Sequence, residues 1–496
     1  MNRQLSRIFS VFAGGFVLLI ALTAYWQIWA QGSLAAHRNN LLEVVHEQSI
    51  DRGLIRAADG TILARNRKRK TRDGRTVFER VYPTRRMFAH VVGYSSVTAK
   101  RSGLEQAQND YLTGANTDLA GFLSSQLDTL AGKRQRGSDV WTTLLPAVQR
   151  AATGGLAATG LPGAAVAIEP DSGKVLALAS WPSFDPNLAV RGGRAWLRLQ
   201  RGGGGALLDR ATQGRYPPGS TFKAVTAAVA LDSGRYTPQS TFFDPGFAVE
   251  YGRKIANNAG ERFGNVDLTT ALTQSINSVF ARIGMALCPR SRCPLLTGQM
   301  QRFGFYARPP LDLPDGEKLP SGLLRPGTSR LASPNAPLDP ARTAIGQYTL
   351  AVTPLQMAMV AAGIANAGAV MRPYLVDHVQ KPDGSRVQHT RPRTLGRAMS
   401  PAHAAELAGM MTHVVEEGTG TAAALRGVRV AGKTGTAQTS VPGKNDAWFI
   451  AFAPVDHPRI AVAVVVEGSS GFGGVVAAPI AKAMIEAALA RSGGTP

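Results

Sequence analysis

The sequence predicts an α+β fold, in which an antiparallel sheet is flanked by helices and is preceded by a small N-terminal domain and a single transmembrane helix. Three observations support this prediction. A long apolar stretch lies near the N-terminus, pairs of strand-like segments stand at both ends of the C-terminal part, and helical patterns fill the interval between these pairs. Because strands and helices do not alternate regularly, a parallel sheet built from βαβ units is disfavoured.

The N-terminal apolar stretch, Ile8–Ala30, contains no charged residue and is long enough to cross a bilayer, which takes roughly 20 residues. Arg3 and Arg7 precede it, so the positive-inside rule keeps residues 1–7 in the cytoplasm and places the chain after residue 30 outside. A cleaved signal peptide is the alternative, but no clear small-x-small cleavage site follows the stretch. The sequence therefore predicts a single-pass protein of the cytoplasmic membrane, anchored in the lipid bilayer by residues 8–30, with an extracytoplasmic remainder.

Charge is strongly biased across the 496 residues, with 55 Lys and Arg against 33 Asp and Glu and a formal net charge of +22. Such a bias favours a polyanionic partner, and the predicted extracytoplasmic location disfavours nucleic acid. The densest basic run, residues 65–75, contains seven basic residues and a single acid, Asp73. It is interpreted as a solvated hairpin tip that turns at Asp73-Gly74, or as a contact with the membrane surface or an anionic wall polymer.

Composition divides the chain after the apolar stretch into two domains. Residues 31–159 are assigned to the small N-terminal domain, because most of this interval is polar, rich in arginine and supplied only with short strand-like pieces such as Val77–Tyr82. Residues 160–493 are assigned to one larger domain. Residues 163–180 are predicted to form a hairpin that turns at Pro170-Asp171-Ser172-Gly173, and residues 447–454 and 459–468 form the second strand pair. The predicted helices are Phe222–Leu231, Leu268–Ala286, Leu355–Ala367, Ala402–Glu416 and Ala477–Ala490.

The two cysteines, Cys288 and Cys293, lie in the segment CPRSRC. Outside the cytoplasm such a pair can oxidise, and the short loop between them is compatible with a disulfide. Two free thiols are the alternative. A zinc site is disfavoured because no histidine lies nearby at ligand spacing. The pair is therefore a candidate disulfide.

The segment YPPGSTFK, residues 216–223, places a serine and a lysine three positions apart. The Pro-Pro-Gly triplet ends any preceding helix, which predicts that a new helix begins near Ser220. Residues three apart share a helix face, so the Lys223 amine is expected within reach of the Ser220 hydroxyl. A lysine whose pKa is lowered can take the serine proton, and a helix N-terminus stabilises the oxyanion formed when that serine attacks a carbonyl.

Two further motifs follow in a fixed order. Ser275-Ile276-Asn277 lies 55 residues after Ser220, inside the predicted helix Leu268–Ala286, and Lys433-Thr434-Gly435-Thr436 lies another 158 residues on. Each motif alone has an ordinary structural interpretation: a surface lysine after a serine, polar residues of a buried helix, or a strand edge with a glycine bulge. In this order, the three motifs form the signature of serine β-lactamases and penicillin-binding proteins.

With these motifs the chain resembles the class B penicillin-binding proteins, and within that class most closely the penicillin-binding protein A kind. The resemblance implies a membrane anchor, an N-terminal pedestal domain and a C-terminal domain with the serine β-lactamase/penicillin-binding type of transpeptidase fold. It covers nearly the whole chain, since further segments have the family's character: RGLIRAADGTILA (52–64), GSDVWTTLLPAVQRAA (137–152), EPDSGKVLALASWPSFDPN (169–187), AIGQYTLAVTPLQMA (344–358) and EEGTGTAA (416–423).

The resemblance implies a peptidoglycan D,D-transpeptidase that cross-links stem peptides in cell-wall synthesis and is acylated and inhibited by β-lactam antibiotics. Ser220 is then the nucleophile that attacks the penultimate D-Ala carbonyl and expels terminal D-Ala. Lys223 is expected to be the base, and Ser275 is expected to relay the proton to the leaving amine. Asn277 is expected to bind both the substrate amide and the Lys223 side chain.

The third motif is expected to recognise the substrate. Lys433 supplies positive charge that lowers the pKa of Lys223 and, with the hydroxyls of Thr434 and Thr436, attracts the terminal carboxylate. Gly435 leaves room for the peptide to lie along the strand edge. The backbone N–H groups of Ser220 and Thr436 are expected to form the oxyanion hole. No metal and no organic cofactor is called for.

Two other functions remain as alternatives. A serine β-lactamase has the same motifs but needs a group that activates water, and Glu317, the glutamate in a loop-like region between the second and third motifs, lacks the expected asparagine four residues on. A β-lactam-binding sensor would signal through the anchor, but only residues 1–7 precede it. The interval from 40 to 155 is too short for a glycosyltransferase domain, so a membrane glycosyltransferase is the expected partner for strand polymerisation.

Overall fold

The computed structural model describes residues 12–20, 22–23, 49–71, 74, 76–96, 99–115, 136–202, 204–288, 291–439 and 441–490. Residues 12–20 and 22–23 are helical. Within these ranges, no helix combines the length and the apolarity that a membrane crossing requires. The predicted anchor Ile8–Ala30 lies largely outside the described residues.

The strands are numbered in chain order. They are Ile55–Arg56 (β1), Ile62–Lys70 (β2), Thr76–Val81 (β3), Ser95–Ser96 (β4), Lys100–Arg101 (β5), Asp139–Thr142 (β6), Gly163–Ile168 (β7), Val175–Trp181 (β8), Thr241–Asp244 (β9), Phe247–Glu250 (β10), Arg253–Ala256 (β11), Gly264–Asp267 (β12), Gly322–Leu323 (β13), Leu350–Ala351 (β14), Ala369–Met371 (β15), Val376–Gln380 (β16), Arg386–His389 (β17), Thr394–Arg397 (β18), Ala431–Gln438 (β19), Asn445–Ala453 (β20) and Ile460–Ser469 (β21).

The helices fall mainly between β8 and β19. The α-helices are Ala89–Val92, Gly103–Ala107, Asn109–Thr113, Pro146–Ala158, Asn187–Arg191, Gly193–Gln200, Lys223–Asp232, Leu268–Thr273, Asn277–Leu287, Pro294–Arg302, Pro340–Ala344, Pro354–Ala365, Pro401–Glu416, Gly473–Val476 and Ala478–Leu489. Short 3₁₀ turns are Arg85–Phe88, Gly219–Phe222, Asn258–Gly260, Asp315–Glu317 and Thr421–Ala423.

A five-stranded antiparallel sheet organises the C-terminal part, in the order β19-β20-β21-β7-β8. Both predicted strand pairs are confirmed, because β7 pairs with β8 and β20 pairs with β21. The sheet joins the first pair to the last by placing β21 beside β7. Strand β19, which carries the Lys433 motif, forms the edge.

The central strands are apolar throughout because both of their faces are covered. On β20, Trp448 and Ile450 belong to one apolar core, whereas Phe449 and Ala451 belong to a second core on the opposite face. Helices Pro146–Ala158 and Ala478–Leu489 lie over that second core, and the helix Pro354–Ala365 lies over the first. At about 25 cal/mol per Å² of apolar surface removed from water, the two cores supply the dominant favourable term for folding.

The predicted long helix Leu268–Ala286 is wrong. The chain forms two helices, Leu268–Thr273 and Asn277–Leu287, with a break at residues 274–276. Ser275 has a φ of 58° there, in the left-handed region that costs an L-residue roughly 1–2 kcal/mol. Helical periodicity alone cannot show such a break. The other four predicted helices are present, with ends shifted by at most two residues.

A second, mixed sheet has the order β17-β16-β6-β1-β2-β3. The pair β1–β6 is parallel, and the pair β6–β16 is antiparallel. Strands β16 and β17 come from after residue 160 and had not been predicted. Residues 65–70 of the basic run lie in β2, whereas the predicted turn residue Asp73 lies outside the described residues.

Candidate active site

A cleft of about 830 Å³ opens along the edge strand β19. It brings together residues of all three motifs, although more than 200 positions separate the first from the last. The motif residues that line it are Ser220, Ser275, Asn277, Thr434, Gly435 and Thr436. The lysines Lys223 and Lys433 lie beneath this surface and are fully buried.

Hydrogen bonds to neighbouring elements hold the segment that carries Ser220. The backbone of Tyr216 exchanges two hydrogen bonds with Val352, at 2.9 and 2.8 Å. Trp448 Nε1 donates to the Pro217 carbonyl at 3.0 Å, and the Gly219 N–H donates to the Gly346 carbonyl at 2.9 Å. The position of Ser220 is therefore set by two neighbours of its segment: strand β20, through Trp448, and residues 346–352, which precede the helix Pro354–Ala365.

Two glycines allow this segment to approach the edge strand. Gly219 has a φ of +53°, and a Cβ there would lie 2.8 Å from the Thr436 carbonyl oxygen. A Cβ on Gly435 would lie 2.8 Å from the Pro218 carbonyl oxygen. A side chain at position 435 would therefore meet the nucleophile segment, and the expected role of Gly435 in leaving room for substrate stays a prediction.

Ser220 lies in the 3₁₀ turn Gly219–Phe222, and the α-helix begins at Lys223. Within the described chain, no hydrogen bond joins Ser220 Oγ to Lys223 Nζ. The amine instead donates to the Ser275 carbonyl at 2.6 Å, to Ser275 Oγ at 3.3 Å and to Asn277 Oδ1 at 2.7 Å. Catalytic contacts are often long before substrate binds, so this geometry is that of a resting site.

Ser275 links the two buried lysines. Lys433 Nζ donates to Ser275 Oγ at 2.9 Å, so this hydroxyl contacts the Nζ atoms of both lysines. The left-handed backbone at Ser275 turns its carbonyl toward Lys223 and its side chain toward Lys433. The break in the predicted helix thus has a function. In a continuous helix the Ser275 carbonyl would accept an intrahelical hydrogen bond and would not be available to Lys223.

Burial lowers the pKa of both lysines. Burial, followed by repulsion from Lys433, holds the pKa of Lys223 well below its ordinary value. Burial alone lowers the pKa of Lys433 to about 7. Neither lysine forms a salt bridge with an acid in the described part of the chain. A neutral Lys223 near neutral pH is what a base toward serine requires.

Asn277 is oriented by residues that sequence reasoning missed. Its Nδ2 donates to the Ala256 carbonyl at 3.0 Å, which leaves Oδ1 to face Lys223. The neighbouring Asn257 accepts from the Ser278 N–H at 2.9 Å and donates to Asp244 Oδ2 at 2.8 Å. No motif marks Asn257, because its role depends on a hairpin that folds back onto the helix carrying Asn277.

Thr419 is a second residue that was not assigned. Its hydroxyl lies 2.6 Å from the hydroxyl of Thr434, and both residues line the cleft. The Thr436 hydroxyl accepts from the Gly473 N–H at 3.4 Å. A signal for Thr419 was present in the family-like segment EEGTGTAA.

Three other residues that the sequence analysis considered, two cysteines and a glutamate, lie apart from the chemistry. Cys288 and Cys293 are joined by a disulfide, which connects the end of the helix Asn277–Leu287 to the start of the helix Pro294–Arg302. The Glu317 carboxylate accepts two hydrogen bonds from the Gly103 N–H, at 3.2 and 2.9 Å, and does not line the cleft.

This fold and this site define an active-serine acyl-transfer enzyme, in which two buried lysines flank a bridging serine. Family models agree: one described as penicillin binding protein transpeptidase domain matches residues 163–486, and one described as penicillin binding protein A dimerisation domain matches residues 52–140. The chain belongs to the penicillin-binding protein transpeptidase family.

Similar proteins extend over the full length. The peptidoglycan D,D-transpeptidase PbpA of Mycolicibacterium smegmatis is 36% identical over 510 aligned residues, which cover 99% of each protein. The protein of the same name from Mycobacterium tuberculosis is 35% identical with the same coverage. A solved structure of penicillin-binding protein A from M. tuberculosis, a ceftriaxone acyl-enzyme complex, matches with a TM-score of 0.79 and 35% identity, and covers 90% of this chain and 100% of that chain.

Proposed function

We propose that this chain is a peptidoglycan D,D-transpeptidase, which cross-links stem peptides through an acyl-enzyme on Ser220 and is acylated by β-lactams. The observation that carries the proposal is the pair of buried lysines that share Ser275 Oγ beneath the cleft lined by Ser220. The relatives named peptidoglycan D,D-transpeptidase PbpA, and the acyl-enzyme complex of the M. tuberculosis protein, support the same reaction.

In the first half-reaction, Ser220 Oγ bonds to the carbonyl carbon of the penultimate D-Ala while its proton passes to Lys223. The bond to the nitrogen of terminal D-Ala then breaks. The proton reaches this leaving amine through Ser275 Oγ, which lies within hydrogen-bonding distance of both lysines. In the second half-reaction, the amine of another stem peptide attacks the ester, and Ser220 regains its proton.

The edge of β19 binds the substrate. An extended peptide adds to this edge as a further strand, with its terminal carboxylate near Lys433, Thr434 and Thr436. The N–H groups of Ser220 and Thr436 stabilise the oxyanion, and each such donor contributes on the order of 10²-fold or more to acyl transfer. This assignment is supported by the position of these groups along one cleft.

We also propose that residues 8–30 anchor the protein in the cytoplasmic membrane as a single pass. Residues 31–159 then form a pedestal and residues 160–493 the transpeptidase domain. The apolar sequence of residues 8–30 and the family matches at 52–140 and 163–486 support this division. The cleft is then extracytoplasmic, where a membrane glycosyltransferase partner supplies the glycan strands.

A slow loss of the acyl group follows from the same geometry. A class A β-lactamase uses a glutamate to activate water for deacylation, and in the described part of the chain Glu261 is the acidic residue that lines the cleft. It is exposed at the rim. Glu317 is held by Gly103 instead. The ester is therefore expected to persist until an amine enters.

Fluorescent penicillin labelling of the full chain in detergent tests the function. The parent should form an adduct that persists for hours, and Ser220→Ala should form none. Ser233→Ala, at the far end of the same helix, is the matched control and should label like the parent. Rapid loss of label with release of hydrolysed penicillin would instead identify a β-lactamase, and a folded parent that never labels would end the proposal.

A further inference from the structure

A short helix outside the cleft, Gly193–Gln200, presents a basic surface that the proposed function does not use. At about 100° per residue, its positions 194, 197 and 198, together with 201 just after it, fall within an arc of about 100°. Trp196 points away from this arc. We call these four residues, Arg194, Leu197, Arg198 and Arg201, the arginine face.

The orientation of the helix is set by its tryptophan. Trp196 is 4% exposed and packs edge-to-face against Tyr94, with ring centroids 5.0 Å apart. It belongs to an apolar cluster with Phe184 and Ala189. Since this side of the helix is anchored in the protein, the opposite side is held outward. All four residues of the arginine face are exposed, Leu197 to 48%.

The charge of this face is not compensated within the described chain. No acidic residue occurs between Asp185 and Asp209. None of the three arginines forms an ion pair with a described acid, whereas the exposed Arg67 and Arg429 pair with Glu79 and Asp456. Guanidinium groups stay charged at every physiological pH. The face is thus three permanent cations around one exposed leucine.

We propose that the arginine face docks on an anionic phospholipid surface. Guanidinium groups bind phosphate oxygens in pairs, and a leucine among them can enter the boundary between headgroups and acyl chains. A phosphate-rich wall polymer would match the charges but, unlike a bilayer, has no apolar region that could cover Leu197. The proposal goes beyond the transpeptidase reaction.

A fluorescence experiment on the full chain tests this docking. The native cysteines are bonded to each other, so Gln200→Cys introduces one thiol beside the arginine face for an environment-sensitive dye. The protein is reconstituted in vesicles of phosphatidylcholine alone or with phosphatidylglycerol. We expect a blue-shifted, quencher-protected dye only with phosphatidylglycerol, and its reversal at about 1 M salt, where the Debye length is about 3 Å.

Removal of the charges should remove the response. A basic residue gains about 1 kcal/mol near an anionic membrane, or roughly five-fold in binding, so the triple variant Arg194→Gln, Arg198→Gln, Arg201→Gln should weaken docking about 100-fold. The matched control removes three exposed arginines elsewhere: Arg325→Gln, Arg330→Gln and Arg386→Gln. An equal loss of docking in this control would show that only the net charge of the protein matters, and it would overturn the proposal.

Two further outcomes would also overturn it. One is a dye whose fluorescence is the same with and without phosphatidylglycerol. The other is a dye that responds to soluble poly(glycerol phosphate) but not to vesicles, which would assign the face to a wall polymer. Flotation of the full chain with neutral vesicles tests the proposed anchor separately, and penicillin labelling tests the proposed activity. A failure of either proposal can therefore be distinguished from a failure of docking by the arginine face.

Discussion

Two clusters of buried cations are stabilised in opposite ways in this chain. In the N-terminal part, Arg52 and Arg80 contact the two oxygens of Glu105 at 2.9 and 2.5 Å, and all three side chains are at least nine-tenths buried. Beneath the cleft, Lys223 and Lys433 are just as buried, and in the described part of the chain the acceptors of their hydrogen bonds are neutral oxygens.

The difference decides which group keeps its charge. Burial raises the pKa of Glu105, but the attraction of Arg80 and Arg52 outweighs burial and leaves the pKa below its ordinary value. The lysines have no carboxylate to oppose burial, so their pKa values fall. A buried cation that meets a carboxylate builds structure. A buried cation that meets neutral acceptors and a second cation becomes a base.

Replacement of the cleft base should give the largest effect. Lys223→Met keeps an unbranched side chain of similar length but cannot accept a proton, so penicillin acylation should slow by about 10²–10⁴-fold. Stability should be unchanged or higher, because an amine is no longer held out of water. Acylation kinetics and thermal unfolding on the same sample measure both. Acylation within ten-fold of the parent would contradict the assigned role.

The arginine cluster should behave in the reverse manner. Glu105→Gln leaves two buried guanidinium groups without a carboxylate, and the free energy of unfolding should fall by about 3–5 kcal/mol. The protein that remains folded should still be acylated at the parental rate. Glu79→Gln is the matched control, since Glu79 pairs with the exposed Arg67 and should cost no more than about 1 kcal/mol. Denaturant unfolding compares them, and equal losses would refute the contrast.

Asn277 is one of the neutral groups that accept a hydrogen bond from Lys223, and a change at Asn257 tests whether its orientation matters for acylation. Asn257→Ala removes the hydrogen bonds to Ser278 and Asp244, which releases the hairpin that orients Asn277. The rate of acylation should therefore fall roughly ten-fold, which corresponds to an increase of about 1.4 kcal/mol in the activation free energy. A change in the pH profile of acylation should accompany this loss, because Asn277 contacts the base.

A matched control separates orientation from simple destabilisation. Asn187 bridges both backbone groups of Tyr82 in a similar way but lies away from the cleft. Asn187→Ala should therefore reduce stability without moving the pH profile. The same profile shift in both variants would mean that Asn257 has only a structural role.

The most gradual effect is a pH dependence of stability. The pKa of Lys433 is lowered to about 7 from its ordinary 10.5, so between these values the unfolded chain binds a proton that the native protein does not. The free energy of unfolding should then rise with pH, by at most about 1.4 kcal/mol per unit. Lys433→Met should flatten this rise between about pH 7 and 9. The exposed Lys444→Met should leave it unchanged, and an unaltered slope in Lys433→Met would contradict the lowered pKa.

Much of the fold could be predicted because it depends on short-range patterns. The runs that became β7, β8, β20 and β21 are apolar and bounded by turn residues, which identifies buried strands without knowledge of their partners. Strands β16 and β17 were missed because they are short and partly polar. Strand β16 is stabilised by pairing with β6, whose sequence lies more than 200 residues earlier, and β17 is stabilised by pairing with β16.

The chemistry of the site was partly predictable for a similar reason. Ser220, Ser275 and Lys433 stand in motifs whose order indicates the reaction class. Asn257 has no such mark, because it accepts a hydrogen bond across the fold from Ser278, which follows the motif residue Asn277. Thr419 stands in the family-like segment 416–423, but only the fold brings its hydroxyl to Thr434. The contact expected between Ser220 and Lys223 is also absent from the described hydrogen bonds, since Ser275 and Asn277 hold the amine.

By itself, the sequence determined the buried strands, the positions of four helices and the set of groups that acyl transfer needs, because these depend on the periodicity and chemistry of neighbouring residues. Tertiary structure decided where the helix breaks at Ser275, which neutral oxygens meet the lysines, and how far burial lowers their pKa values. The physical reason is that desolvation and hydrogen bonding depend on distant segments, so a lysine's charge is set only when the chain has folded around it.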